Sequence, residues 1–430
     1  MPRNKPLVLA IAGFGTVGSG LLTVIKENRD SIIERTGREI VVKSVLVRDL
    51  SKPRAADLPE GCVLTDDPSV LLNDPEVDVL VELIGGISAA KNLITKAITA
   101  GKHIVTANKA LLAEDSRELF ALAAEHNVHL TYEASVCAAI PILTTLKGNL
   151  AGNDIQSIVG ILNGTANYIL SEMTTKKLDF TTALKAAQDL GFAEADPTLD
   201  IEGFDAAHKL CLLTRLGFGV DYPFEKLPVV GVSKIHPKDI EFAREFGYRV
   251  KLLGQVRKVN GKIEAGVFPT LVHHTLLIAR VGGAYNAIRL EGNACGPLFL
   301  HGQGAGDLPT ASAVLGDIVT IGRGVKPNNS GFVEQLLPEA DILAPEDATS
   351  KYYFRVMVND VPGVLRDLAG TLSEQDISIA QAIQKGEESD TVVPVVFLTH
   401  EARAEAVSKA VESMKAKGLV VEEPVFYRIL

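Results

Sequence analysis

The chain has 430 residues, 47% of them hydrophobic and 22% charged, with 43 basic against 53 acidic side chains for a formal charge of -10. At roughly 150 residues per domain, about three domains are expected, and the composition excludes a largely disordered chain, a collagen and a disulfide scaffold. So acidic a chain is a poor partner for nucleic acid or an anionic membrane surface.

Residues 7–12 read as a buried strand, 18–35 as one long helix and 40–47 as a second strand. The first strand runs directly into a Gly-rich turn, not a cleavage site, so it is no signal peptide. Further short strands are expected at 78–83, 103–107 and 129–132, separated by helical patterns at 88–100 and 116–127. The apolar stretch around 77–87 is interrupted by Asp78 and Glu82 and is far too short to span a membrane. Alternation of strand and helix predicts a parallel sheet covered by helices on both faces. After Pro141 the texture changes. Helix-like stretches at 168–176, 182–190 and 201–216 are followed by strand-like ones at 248–256, 262–268 and 284–291, an α+β pattern with a mostly antiparallel sheet. A Gly-rich turn, 301-HGQGAG-306, precedes a helix from 309 to about 321.

A Pro-rich stretch without periodicity then reads as a linker, 331–350. Beyond it, strands at 352–358, 377–384, 395–399 and 420–427 alternate with helices at 363–374 and 402–417, a βαββαβ order of ferredoxin-like type. Val364, Leu365, Leu368 and Leu372 are expected on one buried helix face, and Pro394 argues against extending the third strand backwards. The four cysteines, Cys62, Cys137, Cys211 and Cys295, form no CxxC pair; reduced thiols and a cytoplasmic location are expected.

The sharpest local signal is 13-GFGTVG-18, a G-x-G-x-x-G between a strand and a helix. Gly13 permits the tight turn, Gly15 lets the backbone approach a pyrophosphate, and Gly18 allows close helix–sheet packing. The helix then offers free N–H groups and the positive end of its dipole to phosphates. The second strand ends in 46-LVRD-49, where an acidic residue suits the ribose 2′-OH of NAD and an arginine the 2′-phosphate of NADP. Arg48 leans the expectation to NADP; its alternative is a solvated side chain beside Asp49. Lys109, in 105-VTANKALLA-113, falls beyond the carboxyl end of a parallel strand, where such sheets bind ligands. Asp205 and Lys209 lie one helical turn apart, which spacing alone reads as a surface ion pair worth a few tenths of a kcal/mol.

The ordered set GFGTVGSG, TANKALLA, YEASV, ILNGTANYIL, GFAEADPTLDIEGFDAAHKL and GQGAGDLPTASAV resembles homoserine dehydrogenase over about residues 7–325, and 360-DVPGVL-365 looks like the opening of an ACT domain, an amino-acid-binding regulatory module. The resemblance implies a Rossmann-type doubly wound α/β domain, an α+β catalytic and dimerisation domain, and a ferredoxin-like ACT domain. It divides the chain into 1–134, joined by about 307–330, for the dinucleotide; 135–306 for substrate and dimerisation; and 351–430 for regulation. It implies interconversion of L-homoserine and L-aspartate 4-semialdehyde with NADP(H) or NAD(H). Lys209 matches the catalytic acid/base and Lys109 the lysine that stabilises oxyanion charge; two close ammonium groups are expected to lower each other's pKa. Glu194 and Asp205 match substrate-binding carboxylates, with Asp200 and Thr165 in support. The cofactor positions are Gly13, Phe14, Gly15, Thr16, Val17, Gly18, Arg48, Thr106, Lys109, Gly191 and Gly304.

Glu133, Val136, Ala138 and Ile140 fall on a loop whose carbonyls hold a sodium ion in the family. Here 137-CAA-139 replaces a glycine-richer segment, so any position needing positive φ would change the loop. The resemblance also implies threonine as effector at the ACT domain and a homodimer or homotetramer. The competing readings are a Rossmann dehydrogenase of another amino acid and a non-catalytic amino-acid sensor; retention of Lys109, Glu194, Asp205 and Lys209 weighs against the sensor.

Overall fold

The computed structural model describes residues 5–54, 56–115, 117–386 and 391–430. The first part of the chain runs β1 (Leu7–Ala12), α1 (Thr16–Glu27), α2 (Arg29–Thr36), β2 (Ile40–Leu46), β3 (Val63–Thr65), α3 (Ser69–Leu72), β4 (Val79–Glu82), α4 (Ser88–Thr99), β5 (His103–Thr106), α5 (Lys109–Glu114), α6 (Arg117–Glu125) and β6 (Leu130–Thr131). The six strands form one sheet in the order β3-β2-β1-β4-β5-β6, every neighbouring pair parallel. Both faces of β1 are covered, which is why LVLAIA is continuously apolar and buried throughout. The strand order reverses between β1 and β4, so the crevice beyond their carboxyl ends is the ligand-binding position of this fold. The single helix expected over 18–35 is two helices that meet at Asn28, whose φ of -104° and ψ of 15° leave the helical range. The expected helix start at Ser116 lies outside the described residues.

The second part holds α7 (Ile142–Lys147), β7 (Ile155–Ile161), α8 (Gly164–Thr175), α9 (Phe180–Asp189), α10 (Thr198–Ile201), α11 (Phe204–Phe218), α12 (Pro237–Glu245), β8 (Tyr248–Val259), β9 (Lys262–His273), β10 (Tyr285–Gly292), β11 (Gly296–Gln303) and α13 (Asp307–Gly322). Strands β11-β10-β7-β8-β9 are antiparallel, as expected, although β7, β11, α7 and α12 were not legible as elements. The helix expected over 201–216 is interrupted at Gly203, whose φ of 87° starts α11 afresh one residue before Phe204. Helix α13 returns to the first sheet. Its Ala311, Val314 and Ile318 share a core with Leu9 and Leu21, and a Cβ on Gly20 would sit 3.0 Å from the Asp307 carbonyl oxygen, so glycine sets the closeness of α1 and α13.

The last part comprises β12 (Thr349–Asn359), α14 (Val364–Ser373), β13 (Ile379–Gln384), β14 (Val392–Thr399), the short β15 (Ala402–Arg403), α15 (Ala404–Ala416) and β16 (Val425–Ile429). The order β16-β12-β14-β13 is the antiparallel sheet of a βαββαβ unit. Three expectations are corrected. Strand β14 begins at Val392 and runs through Pro394, whose carbonyl still accepts from the Lys385 N–H; a proline removes one donor and leaves the acceptor. Leu365 is 42% exposed while Val364, Leu368 and Leu372 are buried, so the apolar face is narrower than expected. The final strand starts at Val425, not at 420.

Strand β16 also pairs in parallel with β9, Arg428 opposite Thr270 and Ile429 opposite Leu271, so one continuous sheet crosses from the second part to the last. The seam has a buried polar lock. Asp239 on α12, 1% exposed, accepts from Arg355 Nε at 2.6 Å, Arg355 Nη2 at 3.0 Å and the Tyr353 hydroxyl at 2.8 Å. No helix among the described residues is long and apolar enough to cross a membrane.

Candidate active site

The nucleotide end is built by glycine. Gly13 has φ 102°, and a Cβ there would lie 2.5 Å from the Leu83 carbonyl oxygen; a Cβ on Gly18 would lie 2.6 Å from the Gly13 carbonyl oxygen. These two fix the turn to the sheet. Gly15 differs, since a Cβ there would meet nothing within 4 Å. It is the N-cap of α1, with no side-chain cap and no acidic residue in the first turn, so the first N–H groups face open space. That cradle fits a dinucleotide pyrophosphate. Phe14 is buried under it, while Thr16 and Val17 open the helix.

Arg48 stands exposed after β2. Its neighbour Asp49 is committed to a turn, accepting from the Ser51 N–H at 2.9 Å and hydroxyl at 2.7 Å, and the Ser51 hydroxyl and N–H hold its carboxyl below the usual range. Thr106 is fully buried and its hydroxyl is committed within the rim: it donates to Glu82 Oε2 at 2.5 Å and accepts from the Asn108 N–H at 3.0 Å. Glu82, which the sequence reading treated only as an interruption, organises this rim. Its Oε1 accepts from Ile84 and Gly85 N–H groups, and Asn108 both donates to the Gly86 carbonyl and caps α5 at Leu111. Gly191 takes φ 74°, and Gly304 lies so near Asn286 that a Cβ would be 2.0 Å from its amide oxygen.

The lysines converge on one carboxylate. Asp205 Oδ2 accepts from Lys209 Nζ at 2.7 Å, and Oδ1 lies 3.1 Å from Lys109 Nζ. Lys209 also donates to the Leu162 carbonyl at 2.7 Å, which leaves one of its three N–H groups without a partner among the described residues. Burial works against the charge on both members of the inner pair, but the ion pair outweighs it. Lys209 is held above its usual pKa by Asp205, and Asp205 well below the carboxylate range by Lys209 and Lys109. The mutual lowering expected of two neighbouring ammonium groups is therefore overturned at Lys209, because a carboxylate stands between them. Asp200 is pushed up by burial and by Asp205.

Two supports escaped the sequence reading. Asn163 caps α8 with its oxygen, at 2.7 Å from the Ala166 N–H, and spends both amide hydrogens on Asp200 (2.6 Å) and Asp205 (2.8 Å). Its position before Gly-Thr-Ala is an N-cap signal. His208, next to Lys209, bonds Glu114 at the end of α5 with a 2.8 Å contact and stacks on Phe224. Thus α11 grips α5 at both ends, through Asp205–Lys109 and His208–Glu114. Thr165 donates to the Phe192 carbonyl at 2.6 Å. Glu194 is exposed, and its side chain makes no hydrogen bond or ion pair among the described residues; the structure does not bring it to the lysines.

In the loop after β6, Cys137 and Ala138 adopt φ of 55° and 34°, so the left-handed geometry is kept without glycine at a cost of about 1–2 kcal/mol per residue. Cys137 is buried, and burial pushes its thiol up, so it is no nucleophile. The Glu133 carboxylate is used by the Leu143 and Thr144 N–H groups and the Thr144 hydroxyl. The Glu133 and Ile140 carbonyls accept from Val136 and Ile142, whereas those of Val136 and Ala138 receive no hydrogen bond among the described residues.

A parallel sheet with its switch point at an uncapped glycine turn, facing a buried acid/base pair, places the chain among the NAD(P)-dependent oxidoreductases. Comparison with known proteins narrows the class. Residues 13–133 match the model of the homoserine dehydrogenase NAD-binding domain, 141–319 that of homoserine dehydrogenase and 352–416 that of the ACT domain. The chain is 43% identical to a homoserine dehydrogenase of Neisseria gonorrhoeae, covering 98% of each chain, and 38% identical to one of Bacillus subtilis, covering 99% and 98%. A homoserine dehydrogenase structure from Thiobacillus denitrificans aligns with TM-score 0.94 at 42% identity over 99% of both chains. A hyperthermophilic archaeal homoserine dehydrogenase in complex with NADPH aligns with TM-score 0.63 at 28% identity, over 76% of this chain and 99% of that one. The chain belongs to the homoserine dehydrogenase family.

Proposed function

We propose that the lysine pair on Asp205 handles the proton and the oxyanion in the interconversion of L-homoserine and L-aspartate 4-semialdehyde. The nicotinamide supplies or accepts the hydride when bound. In aldehyde reduction, Lys209 gives its proton to the carbonyl oxygen as alkoxide charge develops, and in homoserine oxidation neutral Lys209 takes the hydroxyl proton. Lys109, half-exposed at the mouth, lends positive charge to the same oxygen. Asp205 stays ionised, borders the substrate space and fixes both ammonium groups. Glu194, with a free carboxylate, is suited to the substrate's ammonium group. The observation that carries this reading is the convergence of Lys109, Lys209 and Asn163 on one buried carboxylate. Lys209→Ala tests it. Turnover should fall at least about 10²-fold with NADPH affinity nearly unchanged. A loss of only a few-fold would return Asp205–Lys209 to the status of an ion pair.

The same reading extends to the remaining positions. NADPH is favoured over NADH because Arg48 is exposed while Asp49 is tied to Ser51; Arg48→Ala should narrow the ratio of kcat/KM for the two cofactors. A sodium ion is served by the free carbonyls of Val136 and Ala138, beside Glu133 and Ile140, and replacing sodium by a large organic cation tests it. Threonine is proposed to bind where Gly363, at φ 97°, opens α14 with no side-chain cap, read by equilibrium dialysis of the full chain. A homodimer or homotetramer is expected by sedimentation.

A further inference from the structure

Away from the lysine pair, Lys251 on β8 is a buried cation with no counter-charge among the described residues. It is 5% exposed, and its ammonium donates to Asn167 Oδ1 at 2.9 Å and the Val281 carbonyl at 2.5 Å, both neutral. Its third N–H has no acceptor among the described residues. A buried ammonium is ordinarily matched by a carboxylate, because neutral dipoles offset only part of its lost hydration. Here the surroundings add positive charge. Lys251 lines a cavity of about 350 Å³ together with Arg249, Arg280 and His274, and among the described residues no acidic side chain lines it. Arg249 and Arg280 donate only to the backbone carbonyls of Tyr248 and His274, and none of these four residues forms an ion pair among the described residues. The hydroxyl groups on the α8 side already donate into their own helix. The side-chain donors left to a ligand are therefore the cationic ones.

We propose that this cavity is an anion site, taking a small phosphate or carboxylate group between Lys251, Arg249 and Arg280. The anion supplies the counter-charge that the fold withholds and accepts the unused Lys251 N–H. The electrostatic state of Lys251 agrees: burial, reinforced by Arg249, lowers its pKa to about 8, as expected of an ammonium whose partner is not part of the chain. Asn167, which holds Lys251, also donates to the Gly283 and Tyr285 carbonyls, so the residue that orients the ammonium fixes the loop closing the cavity.

The test uses the full chain saturated with NADP, so that the glycine turn is filled, titrated with inorganic phosphate and followed by phosphorus NMR and thermal shift. Saturable binding is expected, weakened by at least about tenfold in Arg249→Gln and in Arg280→Gln, each removing one charge-assisted contact. Folded Lys251→Met should lose it altogether; should that variant not fold, the two arginine variants decide alone. Non-saturable binding, or binding that both arginine variants leave unchanged, overturns the proposal. The same chemistry has a second source, a carboxylate of another copy of this chain. Sedimentation of the variants separates the two: dissociation of an oligomer in Arg249→Gln or Arg280→Gln, without phosphate binding in the parent, rejects a free anion as the occupant.

Discussion

Replacing Asp205 by Asn removes one negative charge from between two lysines at nearly unchanged shape, and turns one of two acceptor oxygens that face donors into an NH2 group. Asp205 and Lys209 side chains are 9% and 10% exposed, so solvent screens them little. Breaking such a pair by removing one partner costs about 3–5 kcal/mol. At about 1.36 kcal/mol per pH unit, that is roughly 2–4 units if the buried ammonium relieves itself by losing its proton. Lys209 begins above its ordinary 10.5. In Asp205→Asn the carboxylate that holds it there is gone, and burial is left to lower its pKa. The direction of catalysis then decides the sign. On the proposed roles, semialdehyde reduction uses protonated Lys209 and should fall at lower pH than in the parent, whereas homoserine oxidation uses the neutral amine and should gain relative to reduction. The assay is the pH dependence of kcat in both directions at saturating cofactor, followed by NADPH absorbance. Asp205→Glu, which keeps the charge, should restore much of the parent profile. A folded Asp205→Asn with both profiles unshifted would refute the claim that Asp205 sets the protonation of Lys209.

The glycine turn separates two roles. Gly15→Ala should leave thermal stability within about 1 kcal/mol and weaken NADPH binding at least about tenfold, while Gly18→Ala, which meets backbone at 2.6 Å, should lose stability itself; equal melting temperatures for the two would contradict this. His208→Gln and Glu114→Gln should lower kcat several-fold with little change in cofactor affinity, because α5 loosens at the end opposite Lys109; a double variant no worse than either single one is expected from one shared contact. His103 Nδ1 accepts the His129 N–H, and burial lowers its pKa from 6.5 to about 4. Folding then excludes a proton that the unfolded chain takes up. Stability from this group is intact above 6.5, falls by up to ~3 kcal/mol as pH drops to about 4, and is flat below. Urea unfolding of His103→Asn across that range should show a shallower slope than the parent.

Much of the first domain was legible because each buried parallel strand is a short apolar run that ends at a turn residue. The order around the switch point was not, since nothing in LVLAIA states its neighbours. The ACT unit was legible from its alternation, but β16 was placed five residues early because Val420 and Val421 precede the polar Glu422 and Glu423 and mimic a strand start. In the site, Lys109 and Lys209 carried motif signals, and spacing linked Asp205 to Lys209 alone. That Lys109 reaches the same carboxylate depends on α5 and α11 packing across the domain seam, a contact between residues far apart in sequence. Glu82 and Asn163 were overlooked for the same reason. Their importance lies in which distant N–H groups they satisfy, and those partners exist only after folding. Thr106 shows the converse: a motif threonine at a ligand crevice whose hydroxyl is consumed by Glu82.

The parallel pairing of β16 with β9 sets an order of events during synthesis. Strand β9 leaves the ribosome roughly 150 residues before β16, which at about 5–20 residues per second is a delay of roughly 8 to 30 seconds. Through that interval the row of N–H and C=O groups around Thr270 and Leu271 is an open edge, a template for strands of other nascent chains. Val425–Ile429 is thus the segment that ends the chain's exposure to misassembly, and a messenger truncated shortly before it yields an aggregation-prone product even though every residue of the lysine pair has been made.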